Sequence, residues 1–475
     1  MKTGNDATTR TEKDSMGEMQ VPASALYGAS TQRAALNFPI SNLRYPRRFI
    51  KALGQVKLAA ALTNAELGLL DKQIAEAIEK SAEEVIEGKH DSHFVVDTFQ
   101  TGSGTSTNMN ANEVIAHRAA QLAGDTLKGK KIHPNDHVNF GQSSNDVIPT
   151  ATYIAAASAI KEDLLPALRL LQASLEKKSK EFWGIIKTGR THLQDATPIR
   201  LGQEFLGYAG QIERGIARAQ AAQEELSEVA LGGTAVGTGI NTHPEFAKRA
   251  TAKLSQMTGL NIRETSNHFQ AQSALDNAVA ASGALKTIAV SLTKIANDVR
   301  WLGSGPRAGI GELELPAVQP GSSIMPGKVN PVIAESVLMV CIQVIGNDAA
   351  ITVGGQSGNF EINLTMPLVA YDLLQSIELL ANASKNFARQ AVDGLKATSK
   401  GPDMVERGLA IGTSLAPIIG YDAAAAIVKE AAATGKSIRE VAREKTKLSE
   451  EELAKILDPA LMVEPSADRV GAGGG

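Results

Sequence analysis

The feature that most constrains this fold is a heptad-like seam of apolar residues near the middle of the chain. Their spacing alternates between four and three without a fault, in the order Ala274, Ala278, Ala281, Leu285, Ile288, Leu292, Ile295, Val299 and Leu302. Such a seam predicts a long helix packed nearly parallel to its neighbours in a bundle. We expect this helix to run from His268 to Leu302, a length of about 50 Å at ~1.5 Å per residue.

Three further stretches have the length and helical period of long helices. They cover residues 151–183, with a kink at Pro166, then 201–229 and 331–353. Residues 337–345 are apolar on nearly every face, and a helix of that kind must be buried on all sides. One chain has too few long helices for this, so we infer a homo-oligomer that pools helices in a central bundle. A coiled-coil filament is the alternative, but Gly-rich and Pro-rich loops interrupt the pattern repeatedly.

The chain is expected to be mainly α-helical and to have three domains. Residues 1–145 form an N-terminal mixed, mostly helical domain, 146–400 the long-helix bundle, and 401–475 a small C-terminal helical domain with a frayed tail at 471–475. In the first domain, Asp71 predicts the start of a helix that Gly88 ends.

Composition excludes several classes of function. Lys and Arg total 48 against 51 Asp and Glu, and aromatic residues make up 4%, so neither nucleic acid nor a membrane surface is an expected partner. The single cysteine, Cys341, allows no internal disulfide, thiolate zinc site or iron–sulfur cluster. The charged first twenty residues do not resemble a secretory signal, which favours the cytoplasm. No histidine spacing predicts a metal site.

Four loops are dense in hydroxyl, amide and glycine residues. They are Thr101–Thr105, His133–Asp136 leading to Ser143–Asn145, Gly189–Gln194 and Gly321–Asn330. Side chains of this kind, with freed N–H groups at helix starts, bind oxygen-rich anions, so a small polyanion is the expected ligand. The fourth loop is not a phosphate-binding P-loop, because five residues separate its glycines and Val329 follows Lys328.

That fourth loop resembles the signature GSSxxPxKxNP of the fumarase/aspartase superfamily. The likeness extends over nearly the whole chain and is greatest to the class II fumarases (fumarate hydratases). Segments that resemble fumarases more than aspartases are Thr101–Thr105, Gly189–Pro198, Gly232–Gly239 and Asn241–Pro244.

The resemblance implies a carbon–oxygen lyase that reversibly hydrates fumarate to (S)-malate in the tricarboxylic acid cycle. The single cysteine and the lack of a nucleotide-binding loop or a cluster of metal ligands predict that it needs no metal or organic cofactor. The resemblance also implies a homotetramer in which three chains build each active site around a dicarboxylate substrate. Ser322 would remove the C3 proton of malate, while Lys328 and Asn330 would bind a carboxylate. His192, paired with Glu335, would handle water or the leaving hydroxyl.

The family pattern assigns the remaining substrate oxygens to hydroxyl and amide side chains, namely Ser103, Thr105, Ser143, Ser144, Asn145 and Thr191. A second dicarboxylate site would correspond to His133, Asn135 and Asp136. This assignment is chemically reasonable, because proton removal beside a carboxylate leaves a carbanion that needs preorganised positive charge and N–H dipoles.

Several alternatives stay open at this point. An aspartate ammonia-lyase has the same fold and a different leaving group, and a non-catalytic structural helical oligomer belongs to another class of function. The alternative role for Glu335 is that of a favourable negative charge at a helix N-terminus, and the alternative for the His133 loop is a purely structural role.

Overall fold

The computed structural model describes residues 9–127, 129–467 and 470. In that part of the chain the structure is mainly helical, as predicted, and it contains 17 α-helices. The predicted frayed tail at 471–475 lies outside the described residues.

Four of the described α-helices have 24 or more residues, and two shorter ones continue one another through a π turn. In chain order the α-helices are α1 (Ala29–Asn37), α2 (Arg47–Glu66), α3 (Lys72–Ile86), α4 (Thr105–Ala123), α5 (Ser144–Ala159), α6 (Leu165–Glu181), α7 (Leu201–Glu225), α8 (Phe246–Thr258), α9 (His268–Ser273), α10 (Asp276–Leu302), α11 (Val332–Gly355), α12 (Met366–Gln390), α13 (Lys400–Arg407), α14 (Ala416–Ile419), α15 (Tyr421–Thr434), α16 (Ile438–Lys445) and α17 (Glu450–Ile456).

The strands are short and form two-stranded pairs. Antiparallel pairs join β1 (Thr9–Asp14) to β2 (Gly17–Pro22), β3 (Ile186–Thr191) to β4 (Gln194–Arg200), β7 (Leu313–Glu314) to β10 (Lys396–Ala397), and β8 (Gly358–Asn359) to β9 (Ile362–Asn363); β5 (Glu228–Val229) and β6 (Arg263–Glu264) are parallel.

The predicted helix after Asp71 is confirmed. The Asp71 carboxylate accepts the N–H groups of Gln73 and Ile74, which would otherwise lack partners at the start of α3. Gly88 follows the last turn in a left-handed conformation, with φ 87°.

The predicted continuous helix from His268 to Leu302 is wrong at its start. The chain forms α9, leaves the helical conformation at Ala274 (φ −114°, ψ 151°) and begins α10 at Asp276. The apolar seam marks which positions are buried, and Ala271 and Leu275 are buried on both sides of the break. A seam of this kind therefore gives no information about the continuity of the backbone.

Two other helix predictions need correction. The stretch 151–183 belongs to α5 and α6, which a π-helical turn at Ile160–Leu164 joins just before Pro166. α7 ends at Glu225 instead of Val229, because Glu228 and Val229 pair with β6. Buried Leu226 and Val229 suit a helix and a strand equally well, so their apolar character does not locate the boundary.

The described chain divides into two compact units. Unit 1 comprises residues 1–166, 216–289 and 341–381, and unit 2 comprises 167–215, 290–340 and 382–475, masked residues included in these ranges. The boundaries fall largely inside long helices. The three-domain division predicted from the sequence cuts the chain elsewhere and stays a prediction.

Unit 1 holds the packed helices α2 to α5 and α8 and the segments of α10 to α12 that belong to it. Polar contacts link those segments: Asp348 accepts from Ser282 Oγ at 2.8 Å, and Asn347 Nδ2 donates to Gln375 Oε1 at 2.9 Å. Buried polar side chains on long helices fix their rotation, since each must meet its partner.

Unit 2 holds the β3–β4 hairpin, the loop from Gly321 to Asn330 and the C-terminal helices. Helices α15 to α17 surround an apolar core that includes Leu415, Ile427 and Val441. Elsewhere in the unit, Tyr208 on α7 donates to Asp298 on α10 at 3.0 Å.

Helix α11 exposes large apolar side chains in the single chain. Met339 is 66% exposed and Ile342 is 70% exposed. By length and composition alone, α10 and α11 are also apolar enough to cross a membrane. However, the ion pair between Lys286 and Asp348 (2.6 Å) would then lie within hydrocarbon, where charges are costly. These exposed faces are instead suited to packing against further helices.

Candidate active site

Three predicted substrate-binding hydroxyls meet in unit 1. Thr105 Oγ1 lies 2.9 Å from Ser103 Oγ and 2.7 Å from Ser144 Oγ. Thr105 opens α4 and Ser144 opens α5, so the cluster lies at two helix N-termini, where free N–H groups and the helix dipole favour anions. Gly104 precedes Thr105 in the left-handed region, with φ 73°. The chain thus gathers groups that suit a carboxylate.

The N-terminus of α5 is tightly capped. Ser143 Oγ accepts the N–H of Asn145, and Asp146 Oδ1 accepts the N–H of Ser143 at 2.9 Å. The Asn145 side chain donates from Nδ2 to the Ala235 carbonyl at 2.7 Å. Predicted residues 143–145 are therefore held both by their own helix and by the glycine-rich loop at 232–239.

Sequence reasoning missed a buried carboxylate next to this cluster. Asp146 is fully buried, and its Oδ2 accepts the N–H groups of Gly232 and Thr234 at 2.9 and 3.0 Å. Burial raises the pKa of Asp146 to about 6, against the opposing effect of its backbone hydrogen bonds and of Lys57. The capping-box spacing from Ser143 to Asp146 was visible in the sequence, but the contact with a loop about 90 residues away was not.

A second missed group is Lys57 on α2. It is fully buried and donates to Asn139 Oδ1 at 2.9 Å and Gln142 Oε1 at 3.0 Å. Burial lowers the pKa of Lys57 to about 7, while the Asp146 charge acts in the opposite direction. Nothing in the helical period of α2 distinguishes this lysine from a surface lysine.

In unit 2, Thr191 ends β3 and His192 occupies the tight turn before β4. His192 and Leu193 have φ of 56° and 60°, a conformation that Asn and Gly adopt far more readily in two-residue hairpins. Both side chains are exposed. A bulky residue at positive φ costs free energy, and such positions concentrate at functional sites.

Buried charges lie beneath this hairpin. Lys187 Nζ is 3.0 Å from Glu312 Oε2 and 3.0 Å from Glu204 Oε1, while Arg190 donates to Glu312 Oε1 at 2.7 Å. Burial raises the pKa of Glu204. These ion pairs fix the position of β3 immediately before Thr191 and His192.

The loop from Gly321 to Asn330 folds back on itself. Asn330 Nδ2 donates to the Gly321 carbonyl at 2.6 Å, and a Cβ at Gly321 would lie 2.0 Å from the Lys328 carbonyl oxygen. Ser322 Oγ accepts the N–H groups of Ile324 and Met325 at 3.2 and 3.0 Å. Ser323 and Lys328 are exposed.

Glu335 lies half-buried in the first turn of α11. Within the described part of a single chain, no hydrogen bond or ion pair joins it to His192. The predicted pairing of these two residues is therefore not made inside one chain.

The predicted second dicarboxylate site forms an exposed π-helical turn, Pro134–Val138, in unit 1. His133 Nδ1 accepts the N–H groups of Asn135 and Asp136 at 3.3 and 3.2 Å and lies 3.3 Å from Asp136 Oδ2. His133 Nδ1 thus already has backbone partners.

The candidate residues consequently fall into two groups. Unit 1 carries Ser103, Thr105, Ser143, Ser144 and Asn145 and the second-site residues His133, Asn135 and Asp136; unit 2 carries Thr191, His192, Ser322, Lys328, Asn330 and Glu335. Among the described residues, no group of three or more His, Cys, Asp or Glu side chains is placed to hold a metal ion.

Comparison with known proteins adds a consistent result. Residues 17–346 match the profile of a family described as lyase, and residues 411–464 match one described as fumarase C C-terminus. The chain is 57% identical over 451 residues to a class II fumarate hydratase of Halobacterium salinarum, covering 95% of this chain and 96% of the relative. It is 51% identical to one of Xylella fastidiosa, covering all of both chains.

Two solved structures are similar as well. A class II fumarase of Schistosoma mansoni superimposes with a TM-score of 0.93 at 38% identity, over 96% of this chain and 99% of that one. A protein of Brucella melitensis, titled fumarate lyase:delta crystallin and bound to cobalt, gives 0.92 at 45% identity, over 96% and 100%.

Proposed function

This chain belongs to the lyase family, among the class II fumarate hydratases, and from that premise we propose how its residues divide the reaction. The enzyme is a hydro-lyase that interconverts fumarate and (S)-malate. Identity of 51 to 57% over nearly the full length of class II fumarate hydratases carries this conclusion. Neither aspartate ammonia-lyase activity nor a purely structural role is favoured.

Ser322 is the base that removes the C3 proton of malate. An ordinary serine hydroxyl is too weakly acidic for this, so its alkoxide must be stabilised. The N–H groups of Ile324 and Met325 already point at Ser322 Oγ, which supports this role over one for exposed Ser323. Both donors would strengthen their hydrogen bonds as negative charge develops on the oxygen.

Lys328 and Asn330 bind the carboxylate next to the carbon that loses its proton. As the carbanion forms, negative charge moves into that carboxylate. An ammonium group held beside it therefore stabilises the transition state more than the ground state. The exposure of Lys328 supports this role, because its charge is free to meet a ligand. Gly321 and Gly327, which flank residues 322–326, allow this part of the loop to close over substrate.

His192 transfers the proton of the water or leaving hydroxyl, with Glu335 orienting the imidazole. The strained turn that holds His192 outward supports this assignment. Because the two side chains do not bond within one chain, the pair is proposed to form on assembly.

The hydroxyl and amide groups of unit 1 bind the other substrate oxygens, together with Thr191. Three chains of a homotetramer contribute to each site. The exposed apolar face of α11 around Met339 and Ile342 supports the pooling of helices in a central bundle.

The three-domain division, 1–145, 146–400 and 401–475, and a cytoplasmic location belong to the same proposal. The turn at His133, Asn135 and Asp136 is a second dicarboxylate site of minor catalytic importance.

A substrate comparison tests the function. Purified protein is assayed at 240 nm with malate, aspartate and argininosuccinate. Activity with malate alone is expected, whereas release of ammonia from aspartate at a higher kcat/KM would identify an ammonia-lyase instead.

A further inference from the structure

Two adjacent side chains of α5 hold the same glycine-rich loop. Asn145 donates to the Ala235 carbonyl at 2.7 Å, and Asp146 accepts the N–H groups of Gly232 and Thr234. Ala235, whose carbonyl binds Asn145, therefore directly follows Thr234, whose N–H binds Asp146.

The loop at residues 232–239 needs this support. Gly232, Thr234, Gly237 and Gly239 all have positive φ, from 56° to 106°. Its own backbone hydrogen bonds run from the N–H groups of Gly237 and Gly239 to the Gly233 carbonyl, whereas Gly232, Thr234 and Ala235 are held by partners outside the loop. Fully buried Gln272 is a further partner of this loop, because its Nε2 donates to the Thr234 carbonyl at 2.8 Å.

We propose that Asp146 is a positioning residue for fumarate hydration: by fixing Gly232 and Thr234 it sets the Ala235 carbonyl that orients the Asn145 amide toward substrate. This inference rests on the proposed substrate-binding role of Asn145. Asp146 acts through Asn145 and does not touch substrate. Asp146 accepts three N–H groups, one from Ser143 and two from the loop, and an ionised carboxylate suits this best because both of its oxygens only accept.

An amide cannot replace it. In Asp146→Asn, one of the two terminal positions becomes an NH2 donor, which faces either the Ser143 N–H or the loop N–H groups. In either orientation one contact is lost, because the new NH2 group faces a backbone N–H and both groups are donors. The variant is nearly isosteric, so the change tests hydrogen bonding without creating a cavity.

The test is a kinetic double-mutant cycle with Asp146→Asn and Asn145→Ala. Asp146→Asn is expected to raise the KM for malate about tenfold and to change kcat less than threefold. If Asp146 acts through Asn145, the double variant has the same KM as Asn145→Ala alone, within about twofold. Multiplication of the two KM effects would overturn the proposal, as would a loss confined to kcat.

A matched control separates positioning from general stability. Glu113 in the same unit is also a buried carboxylate that accepts three backbone N–H groups, those of Gly28, Ser30 and Thr31, but at the start of α1. Glu113→Gln should lower the melting temperature comparably and leave the KM within twofold. An equal rise in KM for both variants would show that loss of any buried cap has this effect, and would overturn the proposal.

Gln272→Met provides a second variant if Asp146→Asn does not fold. It removes one hydrogen bond to the loop with little change of volume, and should raise the KM about threefold without adding to Asn145→Ala. Additive effects would contradict the proposal. Wild-type activity with malate is measured first, so an inactive wild type refutes the function and an unaffected Asp146→Asn refutes only this inference.

Discussion

The two groups of candidate residues differ in how the single chain holds them. In unit 1, Ser103, Thr105 and Ser144 are largely buried and bond to one another at 2.7 to 2.9 Å. In unit 2, the loop around Ser322 is held by contacts within itself, and Ile324 at its tip is 84% exposed. One region is preorganised by the fold of one chain, and the other is not.

This difference suggests a division of labour. A rigid hydroxyl cluster binds substrate in the ground state and the transition state alike, which affects mainly KM. A loop that closes around the reacting carbon can form its interactions as the transition state forms, which affects mainly kcat. Mutations in the two regions should therefore change different kinetic constants.

The largest effect is expected for Ser322→Ala. Loss of the base should lower kcat by two to three orders of magnitude, about 3 to 4 kcal/mol of transition-state stabilisation, while the KM for malate changes much less. Steady-state kinetics in both directions measure this.

Ser323→Ala is the control, because Ser323 is an exposed neighbour in the same loop. It should retain most activity. If Ser323→Ala is the impaired variant, the two serines have been assigned in the wrong order. If both variants remain active, His192 becomes the first candidate for the base.

Lys328→Met should affect both kinetic constants. The ammonium group binds the carboxylate before and during the reaction, so kcat/KM should fall about 50- to 100-fold, with KM raised and kcat lowered. Lys396, 71% exposed in the same unit and paired with Glu314, offers a matched control. An unchanged KM in Lys328→Met would remove its proposed role in ground-state binding.

Mixing inactive subunits tests whether the exposed loop and the His192 turn depend on other chains. Tetramers formed from Ser322→Ala and His192→Asn chains, exchanged by mild denaturation and refolding, should regain at least tenfold more activity than either parent. If each site takes Ser322 and His192 from different chains, some sites in the mixed tetramers receive both wild-type residues. Once subunit exchange is verified by mass spectrometry, no recovery would mean that one chain supplies both residues.

The comparison also shows what the sequence alone can predict. The hydroxyl-rich starts of α4 and α5 were predictable because caps and glycines are local signals, as Gly104 and Ser143 illustrate. The break at Ala274 and the end of α7 were not, because apolar spacing records burial without recording backbone continuity. Asp146 was missed because its role depends on partners at 232 and 234 that only the fold brings close.

Thr105→Val should have a moderate effect of a different kind. It removes the hydroxyl between Ser103 and Ser144 at nearly constant volume, leaving both without that partner. We expect a five- to tenfold rise in KM, a change in kcat below threefold, and a stability loss of about 1 kcal/mol measured by urea denaturation. A loss mainly in kcat would erase the proposed contrast between the two regions.

The smallest effect is expected at the exposed turn of the second dicarboxylate site. Its exposure resembles that of the Ser322 loop, with Asp136 at 74%, yet His133 Nδ1 already accepts two backbone N–H groups. Asn is an effective N-cap, so His133→Asn should preserve the turn and change kcat/KM less than twofold. His133→Ala removes the cap and should cost about 0.5 to 1 kcal/mol of stability with equally little effect on catalysis. A tenfold fall in kcat/KM for the Asn variant would show that the histidine itself takes part, and that exposure marks function in both regions.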